Sequence, residues 1–278
     1  MQGKSSKLGR LSIQLGLGIF AFWTLAPIAW LVVSSLMQQQ ALTATPPDFS
    51  PSAFTFQNYV EVMNSAAALG RGLANSLIVA VSTTAVALAV GAPAAYALAR
   101  FQLPGSGPIL LMILATQMFP GIVVAIPMFI VMSHLGLIDS RLGLVIVYLS
   151  FNLPIVIWIL HGFFLAIPVG LERAAAVDGA TTLQIFRLIV LPISWPPIFA
   201  TAIFAFIESW NEFFFALILT RQNAQTVPLV ISQFAGQYQT VFGQMMAAAT
   251  MAVTPVVVIA IIFRQSIMKG FTEGMIKS

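Results

Sequence analysis

Six long apolar stretches separated by short polar connections organise this chain of 278 residues. They run at roughly 11–37, 73–99, 108–133, 142–166, 195–220 and 244–265. A hydrocarbon core of about 30 Å needs about 20 apolar helical residues, so each stretch predicts a membrane-spanning helix. Lys4, Lys7 and Arg10 precede the first stretch as they would a secretory signal. Its apolar run exceeds the ~7–15 residues of a signal core, so a retained span is expected. Prolines lie within or beside every span, at Pro27, Pro93, Pro120, Pro127, Pro154, Pro196, Pro197 and Pro255. Each removes a helical hydrogen bond and favours a kink.

Composition agrees with an all-α integral membrane protein. Apolar residues make up 59% and charged residues 7% of the chain, against about 25% charged in a soluble domain. The net charge of +4 is therefore read as topology, with no nucleic-acid partner expected. Alternate connections hold nine Lys and Arg on one side and three (Arg71, Arg141, Arg221) on the other. The richer side is cytoplasmic by the positive-inside rule. Both termini and the connection 167–193 are thereby placed in the cytoplasm. Cys is absent, and His134 and His161 are the two His. No metal site is expected.

The connection LERAAAVDGATTLQIFRLIVLP, residues 171–192, concentrates Glu172, Arg173, Asp178 and Arg187 between apolar spans. Its pattern predicts two short helices. Pro168 suits a first helical turn, Gly179 supplies the positive φ that ends a helix, and Thr181 with Gln184 fits a capping box. Leu183, Phe186, Arg187 and Val190 continue at helical spacing, and Pro192 is expected to stop the second segment. The small face at Ala174 to Ala176, with charges around it, suits docking into a partner's groove. A solvated loop is the alternative.

This stretch resembles the EAA loop of binding-protein-dependent ABC importer permeases. Ala174-Ala175, Gly179, Ile189 and Leu191-Pro192 fall at the family's offsets, and Asp178-Gly179-Ala180 matches the D-G-A of the sugar branch. Arg173 stands where the family's glutamate usually stands, with Glu172 immediately before it. The resemblance extends to FTFQNY (54–59), ARFQLPG (99–105), SWNEFFFAL (209–217) and the tail KGFTEGMIKS (269–278), which is similar to the ending of MalG-like permeases.

The resemblance implies a type I ABC importer permease fold of six helices, one permease domain over 1–278, in a bacterial inner membrane. It implies coupling to an ATPase through Glu172, Arg173, Ala174, Ala175, Asp178, Gly179, Ile189, Leu191 and Pro192. It also implies a second permease subunit, two cytoplasmic ATPase subunits that bind ATP and Mg, and an external solute-binding protein that delivers a sugar. The chain has no G-x-x-x-x-G-K-[ST] phosphate loop and no catalytic constellation, so a non-catalytic subunit without a cofactor of its own is expected.

Glu208, Asn211 and Glu212 interrupt the fifth apolar stretch. A charge at a helix centre costs about 2.5–3.5 kcal/mol, and such residues usually face a cavity or a bundle interior. They are candidates for lining the substrate path or, alternatively, for contacts between helices. Asn75, Thr116, Gln117 and Asn152 carry the same two readings. Two other functions stand beside the leading one. A permease for a polyamine, phosphate or similar solute shares the EAA loop. A proton-coupled secondary transporter would use Glu208 and Glu212 but leaves the 22-residue connection unexplained.

Overall fold

The computed structural model describes residues 7–64, 66–101, 104–235 and 241–275. Lys4 and Lys277 of the charge count, Gln102 and Leu103 of ARFQLPG, and residues 276–278 of the tail lie outside these. Among the described residues the chain is helical, with no β-strand.

Three helices are long and apolar enough to cross a membrane. Helix α1 (Lys7–Ser35) is apolar from Ile13 onward and exposed around its circumference, with Phe22 75% and Trp23 79% accessible. An apolar surface on all sides suits lipid. Helix α2 (Ala66–Arg100) contains Pro93 and presents Ala87, Ala92 and Ala95 to the interior. A Cβ on its Gly91 would stand 2.8 Å from Val156 Cγ1, so the small side chains there serve close helix packing.

The third apolar stretch is not one straight span. Helix α3 (Ser106–Ala115), extended by a 3-10 turn to Met118, meets helix α4 (Gly121–His134) at 94°. Pro120 explains the bend. It offers no N–H to the preceding helix, and it drives Phe119 into extended backbone at φ −75°, ψ 122°.

Helix α5 (Arg141–Ala166) crosses the centre of its unit and buries Leu144, Val147, Tyr148, Val156, Leu160 and Phe164. Ser140 caps it by accepting from Gly143 N–H at 2.9 Å. Gly143 is required there, because a Cβ would lie 2.3 Å from Leu137 O.

Helices α6 (Val169–Val177) and α7 (Thr182–Ile193) form the polar connection. A 78° bend separates α7 from α8 (Trp195–Asn211), which opens on Pro196 and Pro197, two residues without N–H groups. The fifth stretch is also broken at its far end. Helix α8 stops at Asn211 and helix α9 (Phe214–Leu219) resumes after two non-helical residues. Helix α10 (Phe242–Met275) carries the last stretch, with Pro255 inside it. Counting each bent pair as one span raises the three crossing helices to five. The apolar part of α10, Phe242–Val258, is shorter.

The chain divides into two compact units, Met1–Leu69 with Ile231–Pro255 and Gly70–Val230 with Val256–Ser278. In the first, Asn58 Nδ2 donates to Ser35 O (3.0 Å) and Met37 O (2.8 Å), and the hydroxyls of Tyr59 and Ser35 lie 2.7 Å apart. Asn58 of FTFQNY thus satisfies carbonyls at and just past the C-terminal end of α1 that have no helical partner, while Tyr59 engages the Ser35 hydroxyl. Gly243 packs against Asn58 so closely that a Cβ would meet its amide at 2.6 Å.

Among the described residues, two apolar cores stand out in the second unit. One joins Ala95 and Tyr96 of α2, Leu160 and Phe164 of α5, and Phe186 and Val190 of α7. The other joins Val79, Met132, Leu144, Val147, Phe215 and Leu219.

Candidate functional site: the polar connection and the broken fifth stretch

Local chemistry builds the connection. Helix α6 follows Pro168, which stands at the N-cap, one residue before the first turn. Gly179 adopts φ +87°. Gly179 N–H donates to Ala176 O (3.1 Å) and Ala180 N–H to Ala175 O (3.0 Å), the pair of bonds that closes a helix through a left-handed residue. The expected capping box is present. Thr181 N–H donates to Gln184 Oε1 at 2.7 Å and Gln184 N–H to Thr181 Oγ1 at 3.4 Å. Pro192 does not end the second segment, which runs on to Ile193. The turn before it, Phe186–Val190, widens to a π-helix, which accommodates a ring that would otherwise collide with the carbonyl four residues back.

The proposed contact residues separate by burial. Arg173, Ala174, Asp178, Gly179 and Pro192 are exposed, and Ala175, Ile189 and Leu191 are half-buried. Val177 is 88% accessible. Glu172 is buried and faces the protein interior. Arg100 Nε donates to its Oε1 at 2.6 Å, Tyr96 OH donates to its Oε2 at 2.8 Å, and Arg100 Nη2 donates to Ile167 O at 2.6 Å. Arg100 and Tyr96 belong to the last turns of α2, so this cluster ties the start of α6 to the end of α2. Tyr96 also packs on Phe164 (ring centroids 5.9 Å apart) and Phe186 (4.9 Å). Sequence reasoning missed Arg100 and Tyr96 as partners of Glu172. The one available signal was Arg100 within ARFQLPG.

The polar residues of the fifth stretch differ in role. Glu208 and Asn211 are exposed near the end of α8. Glu212, half-buried, is the first residue past that helix, at φ −66°, ψ 122°. Its carboxylate accepts from Phe215 N–H (2.8 Å) and Ala216 N–H (3.2 Å). It caps α9, where orphan N–H groups and the helix dipole both favour an anion. The continuous helix expected over 195–220 is therefore corrected to two helices with Glu212 at the junction. A cavity of about 380 Å³ nearby is lined by Leu77, Val81, Phe199, Ile203 and Phe206 among other residues. It includes none of Glu208, Asn211 and Glu212.

The weaker polar candidates make bonds within the second unit. Asn152 Nδ2 donates to Ser209 Oγ at 3.2 Å, and Gln117 Nε2 to Phe151 O at 2.7 Å. Thr116 Oγ1 donates to Ile113 O, one turn back. Asn75 Nδ2 donates to Asn223 O and Gln225 O, both at 2.9 Å, while Arg141 Nε donates to Asn75 Oδ1 at 2.7 Å.

Asp139, which the sequence did not single out, organises the turn that Asn75 also holds. Its carboxylate accepts from the backbone N–H groups of Arg221, Gln222, Asn223 and Ala224, at 2.9–3.3 Å. Desolvation by burial raises its pKa, but the four donors together outweigh that and bring it down to about 2.

Residues 87–272 match the family described as "Binding-protein-dependent transport system inner membrane component". Over 258 residues the chain is 36% identical to the trehalose transport system permease protein SugB of Mycobacterium tuberculosis, covering 92% of this chain and 93% of that one. It is 33% identical over 273 residues to the trehalose/maltose transport system permease protein MalG of Thermococcus litoralis, covering 97% and 98%. In fold it is similar to a chain from the crystal structure of a bacterial ABC transporter involved in the import of the acidic polysaccharide alginate. The TM-score is 0.77 at 24% identity, over 95% of this chain and 98% of that one.

Proposed function

The chain belongs to the family of binding-protein-dependent transport system inner membrane components, and from that membership we propose that it is a permease subunit of an ATP-driven importer carrying an oligosaccharide or glycoside. The carbohydrate assignment rests on the near full-length similarity to permeases named for trehalose and for trehalose and maltose. The chain acts as one permease domain over 1–278 with six spans. The two bent pairs and the apolar start of α10 each count as one crossing, and both termini lie in the cytoplasm of a bacterial cell.

The observation that carries the reading is the connection 167–193. It is a preorganised pair of helices, closed by the Gly179 turn and the Thr181–Gln184 box, with Val177 and Arg173 outward and Glu172 latched inward. Such a knob transmits force when a partner grips its outer face, because the latch passes displacement directly to α2. The partner is a pair of cytoplasmic ATPase subunits, which bind ATP and Mg. A second permease subunit completes the pathway, and an external solute-binding protein delivers the sugar. Energy enters through α6, and solute passes between the spans as they alternate between outward and inward access. Glu208 and Asn211, exposed at the end of α8, are the path-lining candidates. Glu212 shapes the path by fixing the break.

The test is affinity purification of the tagged chain from native membranes in mild detergent, with identification of co-purifying proteins, followed by uptake of labelled trehalose and maltose in a deletion strain. Recovery of a P-loop ATPase and a second multi-span permease, with loss of sugar uptake on deletion, is the expected result. An intact, folded chain that brings down no ATPase would overturn the assignment.

A further inference from the structure

The docking face of the connection carries a charge that the burial pattern determines. Of Glu172, Arg173, Asp178 and Arg187, Glu172 alone is buried, with its carboxylate bonded to Arg100 and Tyr96. The exposed remainder is two guanidinium groups against one carboxylate, so the unit presents a net positive charge. Arg173 makes no ion pair with another described residue.

Helical geometry places Arg173 on the gripping side. Glu172 is buried and Ala175 packs against the interior core, which defines the inward face of α6. At 3.6 residues per turn, the opposite face is made by Gly170, Arg173, Ala174 and Val177. All four are exposed, and a Cβ on Gly170 would meet nothing within 4 Å. Val177 is the one long apolar side chain at the centre of that face, and Arg173 stands one turn before it. A helix that lies on a bilayer needs a broad apolar face, which Gly170 and Ala174 do not supply. Their small size instead lets another protein's backbone approach closely around Val177. Resting on the proposed function, we infer that α6 seats in an acid-lined groove of the cytoplasmic ATPase. Val177 fills an apolar floor, and the guanidinium of Arg173 donates to a carboxylate of the groove wall.

This assignment separates two ways the connection could meet its motor. With Glu172 outward, the groove would need a basic residue. The Arg100 and Tyr96 bonds remove that carboxylate from the docking face, and at position 173, where the resembled family carries glutamate, the charge is reversed. The ATPase that fits this chain therefore differs in sign at that contact, which makes the pairing selective.

The experiment compares the tagged wild-type chain with Arg173→Lys and Arg173→Glu, purified from native membranes. A photo-crosslinking amino acid replaces Val177 in a fourth sample to map the groove. Arg173→Lys is expected to retain most of the ATPase, and Arg173→Glu to lose at least about tenfold of it, since opposed like charges are strongly disfavoured. Crosslinks are expected beside an Asp or Glu of the ATPase, whose replacement by Lys restores recovery with Arg173→Glu. Undiminished ATPase with Arg173→Glu, or crosslinks to lipid alone, overturns the charge assignment while the importer reading stands. No ATPase beside the wild-type chain overturns both.

Discussion

Arg100 at the end of α2 and Glu172 at the start of α6 are joined by a 2.6 Å bond between residues 72 positions apart in sequence, with side chains only 9% and 11% accessible. A buried pair of this kind adds little net stability compared with an apolar pair, yet losing one partner leaves a desolvated charge. Its value lies in fixing which helix meets which. Here it fastens the element read as the motor contact to a helix long enough to cross the membrane.

The pair makes a prediction with a sign pattern. Glu172→Ala and Arg100→Ala should each destabilise the chain by about 3–5 kcal/mol, read as a lowered unfolding midpoint in detergent. The double replacement Arg100→Met with Glu172→Met should cost less than either single change. Fully additive losses would show that the two side chains act independently.

What the sequence disclosed follows from the range of each interaction. The turn at Gly179 and the Thr181–Gln184 box depend on neighbours within a few residues, and their spacing was readable. The bend at Phe119–Pro120 was half-readable, because Pro120 marked a kink while hydropathy alone made 108–133 a single span. The break at Glu212 was hidden inside an apolar run, where a glutamate reads as a path residue rather than as a cap for the next helix. Pairs such as Arg100–Glu172, or Asp139 with the turn some 82–85 residues away, have no periodic trace. They exist because folding brings distant segments together. Glu172 shows the consequence, since its place beside Arg173 suggested an outward contact and its burial gives it an inward one.

Gly179 should tolerate substitution according to backbone, not space. Its φ is +87° and a Cβ there would meet nothing within 4 Å. Asn visits this region far more readily than a β-branched residue does. Gly179→Asn should therefore preserve ATPase recovery, and Gly179→Val should reduce it several-fold while the amount of membrane-inserted chain stays unchanged. Equal recovery from both variants would remove the turn from the docking geometry.

Glu212 offers a way to separate a structural carboxylate from a path-lining one. Its two oxygens receive N–H groups of Phe215 and Ala216, so Glu212→Ala should cost about 0.5–2 kcal/mol, the usual range for a lost cap. Glu212→Gln keeps a carbonyl acceptor and should lose less than half of that, with sugar uptake close to wild type. A Glu212→Gln protein that is stable but inactive in uptake would assign the charge itself to transport.

Asp139 predicts a pH dependence confined to acid. Its pKa in the folded chain, about 2, lies below the ordinary 3.8, because four backbone N–H groups favour the ionised form despite desolvation. A carboxylate with a depressed folded-state pKa contributes stability that is complete above its unfolded value and lost as pH falls through its folded value. The Asp139 contribution should thus be constant from neutral pH down to about 4 and disappear between about 4 and 2. Asp139→Asn leaves one carbonyl oxygen to accept where two served five donors, the four backbone N–H groups and Asn223 Nδ2. It should lower the unfolding midpoint in detergent by a few degrees at pH 7, and the difference from wild type should shrink as pH is taken below 4. A gap that stays constant down to pH 2 would show that the clasp on residues 221–224 does not depend on the charge of Asp139.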